Sequence, residues 1–446
     1  MNSHLNIKNI YIRFILYIFI WQFYIFFMSI YSPLGVEWLD CHTQKINNQI
    51  LFLKDNGYLS NYGFSVWSKC SDYVANSEFI NNKVYLSSTI FSSIPYILIN
   101  ELFGNDNFKN YGFLFNILII FITGVLISEI IIKLSKKNKN TNVYNFFRSI
   151  LIFIFFIINP WTYKMLLIHF VPVFFIFFFL LGILMFLMKK HKLGLLSFFI
   201  CGCFDYQSSA GLIFFYSIII IILYYVKNDD FIKNFTPFLF KVNNAKFTII
   251  FTFSVPIIIY FLLRFLASNE LDLYTGTSIL ERIGISGEDP FNGGILGALQ
   301  FLGGSRITNC LINYNIDINV IDLSQKMYIF NCSLSIIGMV IISIFSIVGL
   351  FYLASNEKFF FNSVVLPLAF LLLCYTFILQ QSSSVHLQGY SYFFSVLFSV
   401  GITSLILEIL KKFKFSTTSI LSLIPITFGI MILCIRVSML AGPYGN

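Results

Sequence analysis

Two carboxylates, Glu37 and Asp40, lie three residues apart just after the first long apolar segment of the chain. On a helical turn, residues at this spacing share one face. Such a pair can accept the proton of an attacking hydroxyl group as a general base, or supply oxygen ligands to a divalent cation. A solvated acidic turn with no chemical role has the same pattern, so the residues alone leave both interpretations open.

A second set of polar side chains lies where other apolar segments end, and their types suit hydrogen bonds to sugar hydroxyls or to a phosphate. The set is Asp205, Tyr206, Gln207, His386, Gln388 and Tyr390. A carboxylate at membrane level, such as Asp205, is costly unless it faces a polar cavity or a partner. For His386 and Tyr390 the alternative is the aromatic belt that commonly marks a membrane surface.

Basic side chains near segment ends form the third group. Lys164, Arg264 and Arg306 are placed to meet a lipid phosphate, for which the forked donors of arginine are well suited. The alternative for each is a long side chain that reaches toward lipid headgroups. Arg264 is the strongest candidate, because it precedes a long polar stretch.

The elements that carry these residues are apolar segments. Of 446 residues, 57% are hydrophobic and 11% are charged, whereas soluble domains contain roughly 45–50% apolar and about 25% charged residues. We therefore expect one all-α, polytopic membrane domain over residues 1–446, with about eleven transmembrane helices. The predicted spans are 10–31, 111–133, 144–160, 168–188, 193–204, 208–226, 247–267, 334–354, 359–379, 391–410 and 418–437.

The lysine clusters set the predicted orientation. With a cytoplasmic N-terminus, the clusters at 136–139, 189–192, 227–246 and 411–414 all fall inside, as the positive-inside rule requires. The net charge of +9 then reflects cytoplasmic loops and indicates no nucleic-acid partner. Lys8 and Arg13 precede an apolar stretch too long for a signal peptide, so we expect an uncleaved first span.

Two external loops, 32–110 and 268–333, are too long to be simple connections. Residues 88–103 are apolar, but Pro95 and Glu101 favour a surface helix over a span. Each loop holds two cysteines that can pair or stay free, Cys41 with Cys70 and Cys310 with Cys332. The sequence contains no P-loop or dinucleotide-binding glycine pattern.

This arrangement resembles the GT-C superfamily of membrane glycosyltransferases, which use polyprenyl-phosphate sugars on the non-cytoplasmic face. Their acidic catalytic residue lies in the first external loop, where Glu37 and Asp40 lie here. Ser92–Gly104, with Pro95 and a Leu-Phe-Gly ending, is similar to a surface helix of that family. The length of the chain and its predicted arrangement of spans and external loops are similar to those of the serotype-converting glucosyltransferases of bacterial O-antigen. The match departs in its Glu-x-x-Asp spacing, because the family usually has adjacent carboxylates.

The resemblance implies a hexosyltransferase of the inner (plasma) membrane with its active site facing the periplasm or exterior. Its implied partners are a polyprenyl-phosphate-linked donor, a cell-surface glycan such as lipopolysaccharide or a lipid-linked acceptor, and membrane lipids. A donor-lipid synthase and a flippase would supply that donor. No cofactor is certain; a divalent cation would bind at Asp40 and Glu37.

Two other classes stay open. An O-antigen polymerase or ligase is also polytopic with large external loops, but relies on external arginine and histidine rather than on an acidic first loop. A transporter or flippase needs ionisable groups along a path through the spans, and apart from Asp205 the candidates here cluster at one face.

Overall fold

The computed structural model describes the helices, three short strands and a few residues beside them. The described residues are 2–31, 50, 53–54, 57, 64–66, 84–104, 108–135, 142–159, 161–162, 165, 172–204, 208–227, 245–270, 273–274, 323–374 and 380–412. Side chains at several helix ends lie outside this description. The last predicted span, 418–437, also lies outside it.

The described part of the chain is almost entirely helical, which confirms the predicted α class. Its helices are α1 (Asn2–Tyr31), α2 (Ile90–Phe103), α3 (Phe108–Ser135), α4 (Asn142–Ile158), α5 (Pro172–Leu187), α6 (His191–Phe204), α7 (Ser208–Lys227), α8 (Ala245–Glu270), α9 (Leu323–Asn356), α10 (Lys358–Phe360), a π-helical turn (Phe361–Val365), α11 (Leu366–Leu373) and α12 (Gln380–Lys412). Every predicted span up to 391–410 lies largely within one of these helices or the α10–α11 stretch. Apolar length thus located the helices, whereas their number as membrane spans stays a prediction.

Two helices begin earlier than predicted. Helix α9 begins at Leu323, inside the predicted second external loop, and α12 begins at Gln380, inside a predicted polar turn. A helix satisfies its own backbone hydrogen bonds, so it can continue beyond the apolar stretch that defines a span. The apolar run therefore gives a minimum length for such a helix.

Two described helical segments are long and apolar enough to cross a bilayer. Leu114–Leu134 and Tyr392–Lys412 each contain 21 residues, with mean hydropathies of 2.5 and 2.1. The other apolar helices among the described residues have described apolar parts of 10–17 residues. Length and composition therefore support association with a membrane.

The chain divides into two compact units. The first comprises Met1–Leu34, Phe121–Lys164 and Glu288–Asn446, and the second comprises Gly35–Ile120 and Met165–Gly287.

In the first unit, side-chain contacts give the relative directions of packed helices. Helices α1 and α3 are antiparallel, because Arg13 meets Glu129 whereas Trp21 meets Phe121. Helices α9 and α12 are parallel, with Ser346 near Leu397 at one level and Asn356 near Glu408 at a later one. These are the directions that the predicted alternation of spans requires.

Two ion pairs involve buried arginines in the first unit. Arg13 Nε and Nη2 donate to the two carboxylate oxygens of Glu129 at 2.9 and 2.8 Å. Arg148 Nη1 donates to Glu357 Oε1 at 2.9 Å, at the break between α9 and α10. Removal of one member of a buried pair leaves an uncompensated charge and typically costs about 3–5 kcal/mol.

The second unit holds antiparallel helices and a small sheet. Helices α5 and α6 are antiparallel, since Phe174 stacks on Phe204 and Phe186 contacts His191. The sheet has the order β1 (Phe64–Val66), β2 (Val84–Thr89), β3 (Leu273–Tyr274). Strands β1 and β2 are antiparallel, and β2 and β3 are parallel.

The sheet joins the two predicted external loops. Strand β2 belongs to the first loop and β3 to the second, with Val84 opposite Leu273 and Tyr85 opposite Tyr274. Backbone pairing requires the two segments to lie on the same side of any membrane that the chain crosses. The sheet was not predicted, and it supports placing both loops on one face.

Candidate functional site

Most of the site residues predicted from the sequence lie outside the described residues. These are Glu37, Asp40, Lys164, Asp205, Tyr206, Gln207 and Arg306, together with the loop cysteines Cys41, Cys70, Cys310 and Cys332. His386, Gln388 and Tyr390 lie within α12, but their side chains are not described. Whether these residues meet at one site stays a prediction.

Arg264 is the predicted site residue whose side chain is described. It lies near the C-terminal end of α8, partly exposed, and its Nη1 donates to the hydroxyl group of Tyr260 at 3.2 Å. Residues four apart lie on one helix face, so Tyr260 holds the guanidinium along α8. The remaining donors of the guanidinium are geometrically able to bind an anion.

The described part of the second unit contains an apolar groove of about 590 Å³. Four helices form it: α2, α3, α5 and α6. Its lining residues are Ile94, Pro95, Leu98, Ile99, Leu102, Phe103, Phe115, Ile119, Phe174, Phe177, Phe178, Phe199, Ile200, Cys203 and Phe204. Apart from Pro95 and Cys203, every lining side chain is aliphatic or aromatic, so the groove suits a hydrocarbon chain rather than a sugar.

On helix α2 three polar side chains are buried, whereas apolar side chains that line the groove are exposed. The Tyr96 hydroxyl donates to Asn116 Oδ1 at 3.2 Å, and Ser93 and Asn100 are buried as well. In contrast, Leu98 and Leu102 are 56% and 74% exposed. Since Ile97 and Ile99 are buried and Glu101 is exposed, the exposed leucines mark the open groove rather than a uniformly apolar outer face.

The local sequence explains this shape. Tyr96 packs edge-on against Phe174, which fixes α2 beside α5. Helix α2 ends at Phe103, and Gly104 follows with a positive φ of 78°, a conformation in which glycine commonly terminates helices. The predicted helix over 88–103 is present from Ile90 to Phe103, since residues 88 and 89 belong to β2, and it forms one wall of the groove.

The predicted sugar-binding turn begins where one wall of the groove ends. Cys203 and Phe204, the last residues of α6, line the groove, and Asp205 follows directly. Asp205–Gln207 lie in the sequence between α6 and α7, which begins at Ser208, and are outside the described residues.

Arg264 lies on α8, a helix that contacts the α6 wall of the groove. A Cβ atom on Gly202 of α6 would lie 3.1 Å from Pro256 of α8, so the two helices are in close contact there. Arg264 is eight residues beyond Pro256, about 12 Å further along the helix axis at 1.5 Å per residue. No described contact places Arg264 in the groove itself.

Cation binding receives no support from the described part of the chain. Among those residues, no group of three or more histidine, cysteine, aspartate or glutamate side chains is arranged to hold a metal ion. Cys201, Cys203 and Cys374 are free thiols in helices, as expected for apolar filling. A divalent cation at Asp40 and Glu37 stays a prediction, since both residues lie outside the described part.

Sequence reasoning missed the groove and the Arg13–Glu129 pair. The groove is assembled from four helices distant in sequence, and its phenylalanines are indistinguishable from others in a chain with 56 of them. The ion pair had a usable signal, because charged residues inside an apolar span are expensive and imply a partner. Comparison of the chain with protein-family models, with curated proteins and with solved structures finds no match.

Proposed function

We propose that this chain is a multi-pass membrane glycosyltransferase that moves a hexose from a polyprenyl-phosphate carrier to a cell-surface glycan or lipid-linked acceptor. The observation that carries the proposal is the apolar groove, because the polar residues Asp205–Gln207 follow in the sequence directly after Phe204 of its α6 wall. A lipid-linked sugar likewise combines an apolar part, its hydrocarbon chain, with a polar part, its charged phosphate and sugar. The first-loop carboxylates, Glu37 and Asp40, supply the base.

The membrane part of the proposal rests on side chains that face outward. Along α1, Ile15, Phe19 and Phe23 are 65%, 66% and 64% exposed at a spacing of four residues. Similar exposed apolar faces run along α8 and α9, which include Phe265 and Phe351. In water such faces would be aggregation sites, whereas lipid covers them at no cost.

The proposed topology has about eleven spans and a cytoplasmic N-terminus. Its supports are the helix directions within each unit and the sheet that links the two long loops. The groove lies at the outward ends of α5 and α6 in this topology, level with the outer leaflet. The proposed location is therefore the inner (plasma) membrane, with the catalytic loop on the periplasmic or exterior face.

The proposed reaction is a displacement at the anomeric carbon. Asp40 or Glu37 accepts the proton of the acceptor hydroxyl as its oxygen forms the new glycosidic bond. The bond between the anomeric carbon and the phosphate oxygen breaks, and the phosphate leaves with the electron pair. Arg264, Arg306 and Lys164 are the proposed partners of its charge, while Asp205, Tyr206, Gln207, His386, Gln388 and Tyr390 hydrogen-bond the sugar.

The groove assignment is tested with a bulky substitution at its wall. Ile200→Trp fills space in the groove, so we expect the KM for a polyprenyl-phosphate hexose to rise about tenfold, equivalent to about 1.4 kcal/mol. The kcat should stay within twofold, because carrier binding is equally present in ground and transition states. Transfer of labelled hexose by purified protein in detergent gives both constants.

The matched control is Leu196→Trp on the same helix, where the side chain is exposed and does not line the groove. It should leave the KM unchanged. Leu98→Trp, on the opposite wall, should reproduce the effect of Ile200→Trp if the latter variant fails to fold. An unchanged KM in both groove variants, or an equal rise in the control, would remove the carrier from this groove.

A further inference from the structure

A buried tyrosine lies directly behind the apolar groove. Tyr96 of α2 is 1% exposed and does not itself line the groove. Its near neighbours along the helix do, because Pro95 precedes it and Ile99 follows it by three residues. Tyr96 therefore supports the part of α2 that a chain in the groove would contact.

The hydroxyl group of Tyr96 fixes α2 against α3. It donates to Asn116 Oδ1 at 3.2 Å, and Asn116 is also 1% exposed. Asn116 has the corresponding position on α3, since Phe115 precedes it and Ile119 follows it by three residues, and both line the groove. A hydrogen bond weakens steeply as its angle closes, so this buried bond fixes the spacing and rotation of two walls.

The ring of Tyr96 connects α2 to the other two walls. It packs edge-on against Phe174 of α5, with ring centroids 5.4 Å apart and an interplanar angle of 83°. Phe174 in turn stacks on Phe204 of α6 at 5.8 Å and meets Phe115 of α3 at 5.8 Å. These three phenylalanines line the groove. Tyr96 thus backs a set of contacting rings from α3, α5 and α6.

Another described contact of α2 lies at the surface. Lys54 Nζ lies 3.2 Å from Glu101 Oε1, with the side chains 43% and 45% exposed. Exposed ion pairs contribute little, because water and salt screen them. Toward the groove, Leu98 and Leu102 are 56% and 74% exposed, so this side of α2 provides little packing. The position of α2 therefore depends strongly on Tyr96.

We propose that Tyr96 is a positioning residue for the lipid carrier, which holds α2 at the distance from α3 and α5 that the groove needs to bind a hydrocarbon chain. The proposal rests on the proposed transferase function and names the residue that shapes its carrier site. Tyr96 touches no substrate and acts through the wall in front of it. Without its hydroxyl group, α2 can rotate and the groove widens, and the need to order a loose site during binding lowers affinity.

The test variant is Tyr96→Phe, which keeps the ring against Phe174 and removes the hydrogen bond. We expect the KM for a polyprenyl-phosphate hexose to rise roughly 3- to 10-fold, which corresponds to the net contribution of one hydrogen bond. The kcat per folded molecule should stay within about twofold, because carrier binding is equally present in ground and transition states.

Two control variants come from the same unit. Glu101→Gln weakens the surface pair with Lys54 on α2 and leaves the groove wall in place. Tyr216→Phe removes another buried tyrosine hydroxyl, since Tyr216 of α7 is 3% exposed and does not line the groove. Both should keep the wild-type KM. Asn116→Leu removes the acceptor instead of the donor and should reproduce the rise in KM, also if Tyr96→Phe does not fold.

A second readout does not depend on transfer. Cys203 is a free thiol that lines the groove, whereas Cys201 on the same helix is fully buried and its thiol donates to the carbonyl oxygen of Phe175 at 3.2 Å. N-ethylmaleimide labelling followed by tandem mass spectrometry gives both rates. Tyr96→Phe should raise the Cys203 rate by about threefold or more, because access to the thiol increases, and leave the Cys201 rate unchanged. Polyprenyl phosphate without a sugar should slow Cys203 labelling in the wild type, and Tyr96→Phe should need a higher concentration for the same protection.

The outcomes separate the two proposals. If the wild type transfers hexose but Tyr96→Phe keeps the wild-type KM and Cys203 rate, the positioning role is wrong and the transferase stands. Equal acceleration at Cys203 and Cys201 would also overturn the role, since that pattern reports a general loosening of the unit. If the wild type transfers nothing, the transferase proposal fails, and the Cys203 rates with and without polyprenyl phosphate still decide whether Tyr96 shapes a lipid site.

Discussion

Replacement of both first-loop carboxylates, Glu37→Gln with Asp40→Asn, is expected to slow hexose transfer by about 10²–10⁴-fold, the usual contribution of a general base. The amides keep the shape and the hydrogen-bonding oxygen of each side chain but cannot accept the proton. Of the two single variants, the one that removes the base should transfer hexose at a rate close to that of the double variant. Initial rates with a labelled polyprenyl-phosphate hexose, at saturating donor, measure the effect.

The matched control is Asp72→Asn, a change of the same kind in the same loop. It should transfer at the wild-type rate, since Asp72 has no proposed role in the reaction. Full activity in the double variant would show that neither carboxylate is the base. The search for a catalytic group would then turn to Arg306 and His386, as expected for a polymerase or ligase.

The second large effect is expected at Gly349, where α9 and α12 approach most closely. A Cβ atom at Gly349 would overlap the carbonyl oxygen of Gly401, and one at Gly401 would overlap backbone and side chain of Ser346. Backbone atoms cannot rotate away, so Gly349→Ala must separate the two helices. The gain in helix propensity, about 1 kcal/mol, does not offset overpacking that costs typically about 1–3 kcal/mol and here involves backbone.

Gly349→Ala should therefore lower the thermal midpoint. Each kcal/mol lowers the midpoint by about 2–4 °C in a domain of roughly 150–250 residues, and by less in a chain of 446 residues. The loss of monodisperse protein on size-exclusion chromatography after heating measures it. Ser346→Ala is the control on the same turn, because its hydroxyl lies 3.4 Å from the carbonyls of Leu397 and Phe398 and makes only weak bonds. Equal stability of the two variants would mean that the glycine contact does not hold α9 against α12.

Apolar length predicted the helices from the sequence, and the relative directions of α1 with α3, α5 with α6 and α9 with α12 agree with the predicted alternation of spans. Span 208–226 corresponds to α7 at 208–227, and span 247–267 lies inside α8 at 245–270. Such helices can be predicted from the sequence because a membrane or an apolar core requires a run of apolar residues along the chain. The helix over 88–103 was also predicted, and its location at the surface, inferred from Pro95 and Glu101, stays a prediction.

Features formed by residues far apart in the sequence were not predicted from it. Strand β3 is only two residues long, and nothing in Leu273-Tyr274 indicates that it pairs with Val84-Tyr85. The groove depends on which phenylalanines turn toward it, as Phe174 and Phe178 do, and this follows from helix packing rather than from composition. For the catalytic loop, the sequence supplies the residue types at Glu37 and Asp40, and their geometry stays a prediction.

The most direct test of the proposed transferase is mass spectrometry of lipopolysaccharide and other surface glycans from cells that lack the gene. The cells are complemented with wild-type protein or with Asp40→Asn together with Glu37→Gln. We predict a mass difference of a single hexose that wild type restores and the double variant does not, at equal protein levels in the membrane. A change in polymer length instead would indicate a polymerase. Unchanged glycans in a strain that demonstrably contains both donor and acceptor would contradict the transferase and favour a transporter.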